Sequence, residues 1–180
     1  DADKTLAERL AETERELDEL DEAFERIKEA LASEENAFAD EANDLLKHIT
    51  LKMTPLGLVI EIADRDGDSL FQTASAAPAE KLGKIIEMIT PIVASVKNRV
   101  AITGHTDAVP YSANAAYTNW ELSSDRANAA RRLMLGAGFP PAHLRKVIGA
   151  SSTDPIDQDP TAAVNRRIAI TLLRGDKIDS

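Results

Sequence analysis

A predicted strand that runs into a polar motif, with a predicted helix after it, restricts the fold of this chain more than any other feature. Residues 99–102 form an alternating apolar run of the kind that indicates a β-strand. Gly104 interrupts this pattern near its end, so His105, Thr106 and Asp107 are expected at the mouth of the strand. Because strand ends that face helix starts often hold polar binding sites, we expect the functional site here.

The predicted helix runs from about Trp120 to Leu135 and carries a basic residue in its first half. Ser123 or Ser124 is a suitable N-cap residue, and Asp125 suits the first turn. Its apolar face is built from four residues at helical spacing, Ala127, Ala130, Leu133 and Met134.

Asp107 and Arg126 give this region one carboxylate and one guanidinium. A carboxylate binds an ammonium group, and a planar guanidinium forms a forked pair with a carboxylate. The two side chains therefore suit a small zwitterion. The alternative is that they pair with each other or cap local backbone, and the residues taken alone favour that alternative.

Composition excludes several classes of function. The length of 180 residues is enough for one domain with an appendage. The formal net charge of −10 argues against nucleic acid, which needs a basic stripe, and against an anionic membrane surface. Cysteine is absent, and the three histidines lie far apart in the sequence. We therefore expect no thiol chemistry, no metal and no cofactor.

No apolar run of the length of a transmembrane helix occurs in the chain, and no signal peptide is recognisable. The chain begins at Asp1 without a methionine. We expect a mature or truncated fragment whose export signal or membrane anchor lies upstream.

Residues 1–48 are predicted to form a helical stalk. Apolar residues recur at alternating intervals of four and three positions, which is the period of a coiled coil. Parallel dimerisation is the favoured interpretation, because the apolar seam is narrow and the remaining surface is acidic. A helix packed on its own domain and a helix that binds another partner are the alternatives. The pattern weakens after Leu31, so we expect a break at Ser33 or Asn36. The seam consists of Leu10, Leu17, Phe24 and Leu31 at position a, with Leu6, Thr13, Leu20 and Ile27 at position d.

The rest of the chain alternates between predicted strands and helices, with a globular domain over 49–174 and a tail over 175–180. A helix is expected from Pro78 to about Val96, with Pro91 kinking it or ending it early. This order predicts an α+β fold, a two-layer sandwich in which helices cover one face of a mixed sheet of about four strands. Five residues of the first domain helix are predicted to face inward: Leu82, Ile85, Ile86, Ile89 and Val93.

Three other features were weighed as functional signals. His105 and Asp107 lie two apart on a strand and could form an acid–base pair, but no nucleophile motif, phosphate loop or metal-ligand spacing accompanies them. Asp64, Asp66 and Asp68 hint at a calcium loop, but a plain turn is the favoured interpretation. Arg166 and Arg167 open the last strand and should point to opposite faces, one a surface charge and the other able to reach the site.

Three motifs in order resemble the OmpA-like peptidoglycan-binding domain family. They are Gly104-His-Thr-Asp107, Asn119-x-x-Leu-Ser-x-x-Arg-Ala127 and Asn165-Arg-Arg-Ile168. The resemblance covers roughly 51–173. It implies the family's βαβαβ sandwich and non-catalytic binding of the peptide stem of peptidoglycan. Asp107 would take the ammonium of meso-diaminopimelate and Arg126 its carboxylate. The same pocket would be lined by Thr106, Asn119, Leu122 and Arg166.

One departure from the common family pattern indicates a branch. Pro110 stands where the wider family usually has glycine, and this looks like the MotB branch, the stator subunits of flagellar motors. That resemblance implies a periplasmic homodimer that anchors the stator to the wall, with a MotA-type partner reached through an inner-membrane segment absent here. A structural wall-tethering protein of the OmpA or Pal kind and a peptidoglycan hydrolase or amidase remain the alternatives.

Overall fold

A five-stranded mixed sheet forms the centre of the molecule. The computed structural model describes residues 5–33, 42–112 and 114–178. The sheet has the spatial order β1-β2-β5-β3-β4, and only β3 and β4 are parallel neighbours. It has five strands rather than about four, and its last strand runs past the predicted domain end at residue 174. The strands are β1 (Ile49–Thr54), β2 (Gly57–Ala63), β3 (Asn98–His105), β4 (Leu144–Gly149) and β5 (Arg167–Lys177).

Helices pack on one face of this sheet and enclose the core. Alternate residues of β2, namely Leu58, Ile60 and Ile62, are fully buried, and they lie opposite Leu172, Ile170 and Ile168 of β5. The resulting apolar layer belongs to the same buried cluster as residues from all four of the helices named below. The α+β class predicted from the sequence is confirmed. The helices are α1 (Leu6–Ala32), α2 (Ala42–Leu46), α3 (Glu80–Ala94) and α4 (Asn119–Gly136).

Helix α1 begins at a capping box in which Thr5 and Glu8 each accept a hydrogen bond from the other's backbone N–H. It ends at Ala32 with Ser33 as its C-cap, one of the two break points expected; the other, Asn36, lies outside the described residues. Predicted helical residues at 1–4 and 34–41 also lie outside the described part, as do the side chains of Thr13, Leu17, Phe24 and Leu31.

The two halves of α1 have different surroundings. Leu20, Ala23 and Ile27 in the second half are buried in the core of this same chain, against α3, β2 and β5. Leu6 and Leu10 in the first half are 72% and 56% exposed. Two residues of the predicted coiled-coil seam, Leu20 and Ile27, therefore pack against the chain's own domain and are not exposed to a second helix.

Helix α3 buries all five of the residues predicted to face inward. Pro91 does not end it, because the helix continues to Ala94. The missing N–H of a proline costs one backbone hydrogen bond, and the apolar contacts of the buried face offset this loss. The neighbouring Val93, beyond the proline, is fully buried.

Helix α4 begins at Asn119, before the predicted N-cap residues Ser123 and Ser124. Thr118 is the N-cap residue and forms a capping box with Glu121. Ser123 and Ser124 lie inside the helix, where both hydroxyls donate to the carbonyl of Trp120. The cap prediction was wrong because Thr118-x-x-Glu121 is a stronger start signal than a serine alone.

Sheet topology brings three separate parts of the chain to one edge. Strands β2 and β3 both run antiparallel to β5, which lies between them, so β2 and β3 point the same way. The residues that follow β2 and β3 therefore meet the residues that precede β5. This edge holds Asp64, Asp107 and Arg166 together.

None of the helices in the described ranges has both the length and the apolar character needed to cross a membrane.

Candidate functional site

A cavity of about 500 Å³ opens at the sheet edge where β2, β3 and β5 converge. Its volume lies within the range usual for small-molecule sites. All six residues predicted from the sequence to share one pocket line this cavity, together with part of the segment between β2 and α3. The six are Thr106, Asp107, Asn119, Leu122, Arg126 and Arg166.

Close contact between β3 and α4 brings Asp107 and Arg126 into the lining of one cavity. Gly104 is the penultimate residue of β3, which ends at His105, so Thr106 and Asp107 follow the strand end as predicted. A Cβ atom at Gly104 would lie 2.1 Å from the carbonyl oxygen of Ser123 in α4. Glycine is therefore needed here for the helix to approach the strand, and any larger residue would push the two sides of the cavity apart.

Asp64, Arg166 and Asp107 form a chain of two ion pairs, which we call the cavity triad. Nε of Arg166 lies 2.7 Å from Oδ2 of Asp64, and Nη1 lies 2.8 Å from Oδ2 of Asp107. The remaining oxygen of each carboxylate accepts a backbone N–H, from Leu70 and from Val109. The triad carries a net charge of −1, because two carboxylates share one guanidinium.

Arg126 lies apart from the triad and has no ion-pair partner among the described residues. Its Nε donates to the carbonyl of Ser75 at 2.9 Å, and its guanidinium carbon lies 4.9 Å from the centre of the Phe71 ring. The residue is only 6% exposed. Burial lowers the pKa of Arg126, while the carboxylate of Asp64 acts in the opposite direction. A guanidinium stays charged under these conditions, so the cavity contains a buried cation that makes no direct ion pair with a described residue.

Asn119 fixes the loop that carries Asp107. Its side-chain amide donates to the carbonyls of Asp107 and Val109, at 3.4 and 3.2 Å. Leu122 contributes an apolar patch, and it is 5% exposed. The backbone N–H of Thr106 donates to Ser151, whereas its hydroxyl is buried without a hydrogen-bond partner in the described structure.

Sequence reasoning did not predict eight of the residues that line the cavity, and three of these matter most for its chemistry. Asp64 was assigned to a turn, yet it follows the end of β2 as Asp107 follows the end of β3, and the common direction of these strands in the sheet brings the two residues together. Phe71 and Tyr111 also line the cavity, and the Tyr111 hydroxyl is buried without a partner among the described residues. The Tyr111 ring packs edge-to-face on Tyr117 at a centroid distance of 6.0 Å. No local pattern distinguishes these aromatic residues from core residues.

His105 and Arg167 lie outside the cavity lining. Burial, with the charge of Arg167 acting in the same direction, lowers the pKa of His105 to about 4, so its imidazole is neutral at ordinary pH. The sequence predicted that one of Arg166 and Arg167 would be a free surface charge, and this is wrong, because both are in ion pairs. The Arg167 side chain is 2% exposed and lies 3.5 Å from the Glu61 carboxylate. Within the described ranges, no group of histidine, aspartate or glutamate side chains is arranged to hold a metal ion.

The geometry can be compared with known proteins. The sequence model of the OmpA family matches residues 68–169. The chain belongs to the OmpA family. This match covers the cavity residues from Ser69 to Arg166 and leaves out Asp64 and the helix α1.

Motility protein B of Escherichia coli K12 is homologous to this OmpA-family chain and 37% identical over 131 residues. The alignment covers 72% of this chain and 42% of the relative, so the chain spans about two fifths of the relative's length.

Two solved structures share the fold. The cell wall anchor of the type VI secretion system from Pseudomonas aeruginosa has a TM-score of 0.61 at 26% identity, covering 76% of this chain and 94% of the other. The periplasmic domain of Helicobacter pylori MotB has a TM-score of 0.57 at 23% identity, covering 67% and 85%. The OmpA-type sandwich and the MotB resemblance expected from the sequence are confirmed.

Proposed function

We propose that the cavity binds the peptide stem of peptidoglycan without catalysis and that the chain anchors a flagellar stator complex to the cell wall. The observation that carries the proposal is the separation of charge inside one cavity. The cavity triad supplies a net negative charge at one side, and Arg126 supplies an unpaired positive charge at another. A ligand complementary to this arrangement carries an ammonium and a carboxylate.

The side-chain end of meso-diaminopimelate in a stem peptide has these two groups. Its ammonium would bind at Asp107, and its carboxylate would form a forked pair with the guanidinium of Arg126. Leu122 and Phe71 would contact the methylene groups between them. Thr106 would offer its unpartnered hydroxyl, and Asn119 and Arg166 would hold the loop and the carboxylate in place.

The named relatives support the wider role. Motility protein B gives the link to motility, and a secretion-system cell wall anchor gives the link to the wall. A periplasmic location and a MotA-type partner subunit, reached through a membrane segment outside this sequence, follow from the same proposal. The Pseudomonas relative also favours a second candidate: a wall-tethering protein of the OmpA or Pal kind with no motor role.

Co-sedimentation with purified sacculi tests the binding proposal. Wild-type protein should pellet with the sacculi, and Asp107→Ala should remain in the supernatant with its fold intact. Asp66→Ala is the matched control, since it removes an exposed carboxylate from the turn after β2. Equal pelleting of wild type and Asp107→Ala would move the site elsewhere. Muropeptides released into the supernatant would instead indicate a hydrolase.

We also propose that the first half of the helical stalk dimerises. Leu6 and Leu10 are its exposed apolar residues on the predicted seam, whereas Leu20 and Ile27 are occupied by the core. Sedimentation equilibrium of the whole chain should show a dimer that Leu10→Asp weakens. Leu56→Asp is a suitable control, because Leu56 is 71% exposed in the turn between β1 and β2. A monomeric wild type would contradict the proposal.

A further inference from the structure

Asp64 lines the cavity and belongs to the cavity triad, but the binding scheme above gives it no contact with the ligand. Its side chain is 5% exposed. Oδ1 accepts the N–H of Leu70 at 2.8 Å, and Oδ2 lies 2.7 Å from Nε of Arg166. A buried carboxylate costs free energy unless it is paired, and a buried pair is often replaceable by apolar residues. The presence of a second carboxylate behind Arg166 therefore calls for an explanation beyond stability.

Charge balance within the triad supplies that explanation. The carboxylate of Asp107, which would receive a ligand ammonium, already lies 2.8 Å from Nη1 of Arg166. An ammonium that approaches Asp107 therefore also approaches a guanidinium, and the two cations repel. With Arg166 and Asp107 alone, this end of the cavity would have no net charge. Asp64 compensates the guanidinium from its other side and leaves the end with a charge of −1.

The position of Asp64 lets it compensate the charge of Arg166 without contacting the ligand ammonium in place of Asp107. Asp64 and Asp107 bind different nitrogens of one guanidinium, Nε and Nη1. Asp107 thus keeps its geometry, fixed by the Val109 N–H, while Asp64 changes the electrostatic potential around it. Because the group is buried, its charge is screened by water much less than that of a surface carboxylate.

We infer that Asp64 is a specificity-determining residue that makes this end of the cavity select a free ammonium over an acylated, neutral amine. The inference rests on the proposed function, since it takes a diaminopimelate stem peptide as the ligand. It adds a physical basis for ligand selectivity to that function. It assigns this selectivity to Asp64, which lies outside residues 68–169, the region matched by the family model.

Two stem peptides that differ at one group test the inference. One has the side-chain amine of diaminopimelate free, and the other has that amine acetylated. Binding of both is measured by calorimetry for wild type and for Asp64→Asn, which retains an oxygen to accept the Leu70 N–H. Affinity for the free-amine peptide should fall about tenfold in the variant, as expected for the loss of one nearby buried charge, while affinity for the acetylated peptide should change less than about twofold.

Asp66→Asn is the matched control, because it makes the same change in net charge at an exposed position two residues away. It should leave both affinities unchanged. The double variant Asp64→Asn with Arg166→Gln restores a net charge of −1, and it should regain part of the lost preference for the free amine. A merely structural role of Asp64 predicts further loss in the double variant.

The outcomes separate the inference from the proposed function. If wild type binds neither peptide, the proposed function fails and the inference fails with it. If wild type prefers the free-amine peptide and Asp64→Asn keeps the same ratio of affinities while folded, only the inference is overturned. If the ratio collapses toward one in the folded variant, Asp64 sets the selectivity.

Discussion

Two ionic clusters include residues of the segment that joins β2 to α3, and they differ in whether every cation makes a direct ion pair. The first, here called the linker cluster, joins α2 to this segment and to α3 and consists of Asp44, Lys47, His48, Asp68 and Lys81. The second is the cavity triad with its neighbour Arg126. Both clusters contain two carboxylates, but only the second leaves a cation without a counter-ion.

Every charge of the linker cluster has an opposite charge close by. Lys81 Nζ lies 2.6 Å from carboxylate oxygens of both Asp44 and Asp68, and Lys47 also contacts both. The hydrogen bond from Lys81 is the main reason why the pKa of Asp68 lies well below its ordinary value. Such a cluster is complete without a ligand and serves to hold elements together.

The cavity cluster is incomplete by the same criterion. The structure holds Arg126 in place with one backbone carbonyl and one aromatic ring, and neither neutralises its charge. A buried cation without an anion costs free energy that binding of an anion would recover. The comparison indicates that a buried cation without a direct ion pair, rather than the number of charged residues, distinguishes this candidate binding site from a structural contact.

The largest effect that would sharpen this comparison is expected for Arg126→Ala. Affinity for a diaminopimelate stem peptide should fall about a hundredfold or more, because a charged forked pair is lost. The free energy of unfolding should stay the same or rise, since an uncompensated buried charge is removed. Calorimetric titration and chemical denaturation measure the two quantities.

Arg126→Lys serves as the control for that variant. It keeps the charge but loses the planar fork, so it should recover little affinity. A large loss of stability in Arg126→Ala with binding retained would break the comparison, because Arg126 would then behave like a member of the linker cluster.

A smaller effect is expected from pH, and it separates His105 from both clusters. The pKa of His105 in the folded protein is lowered to about 4, so its imidazole stays neutral between pH 6.5 and pH 4. In the unfolded chain the same imidazole takes up a proton as the pH falls below its ordinary pKa near 6.5. Stability should therefore fall as pH drops from about 6.5 to 4, by about 2 kcal/mol at pH 5.

Denaturation of wild type and His105→Gln at pH 7 and pH 5 checks this loss, which should be absent from the variant. Asp68→Asn should lose as much as wild type over the same interval. The reason is that the lowered pKa of Asp68 keeps it ionised in the folded state, and its contribution disappears only as pH falls from about 4 toward the folded pKa. A shallower loss in Asp68→Asn would show that the linker cluster titrates earlier than its contacts imply.

The smallest effect is expected for Asp68→Asn at neutral pH. The side chain is 26% exposed, so solvent weakens its ion pairs, and we expect a destabilisation of about 1 to 2 kcal/mol. Binding of the stem peptide should change less than about twofold. Denaturation and titration of the same sample measure both, and a binding loss as large as that of Arg126→Ala would remove the distinction between the clusters.

Much of the site was predictable because its residues lie at strand ends and on a helix start. Such positions drew attention to Asp107 and Arg126, but the choice of a binding site over a local ion pair, and the four neighbours, came from the family resemblance. The structure brings all six residues to one cavity. Asp64 was missed because an Asp-rich segment with a glycine is typical of a turn, and only the parallel direction of β2 and β3 shows that it meets Asp107. Strand order depends on contacts between distant parts of the chain, which local patterns do not contain.

Local sequence patterns were also insufficient to predict how the stalk packs. Its period of apolar residues predicted a helix, and the structure has one from Leu6 to Ala32. The period did not indicate which of its residues the domain itself would bury, because a coiled-coil seam and a helix docked on a sheet have similar spacing. Leu20 and Ile27 are core residues, and that assignment required the position of α3 and the sheet.

Strand β5 extends from the cavity at one end to helix α1 at the other. Arg166 of the cavity precedes its first residue, and Lys177 at its other end pairs with Glu19 of α1. If the chain acts as the anchor proposed above, a pulling load on α1 would be transmitted through β5 together with the contacts of α1 to α3 and β2. Strand β5 is hydrogen-bonded to β2 on one side and β3 on the other, so many bonds would share the load at once. In the proposed anchor, the ligand cavity and the helical stalk are thus both in contact with β5.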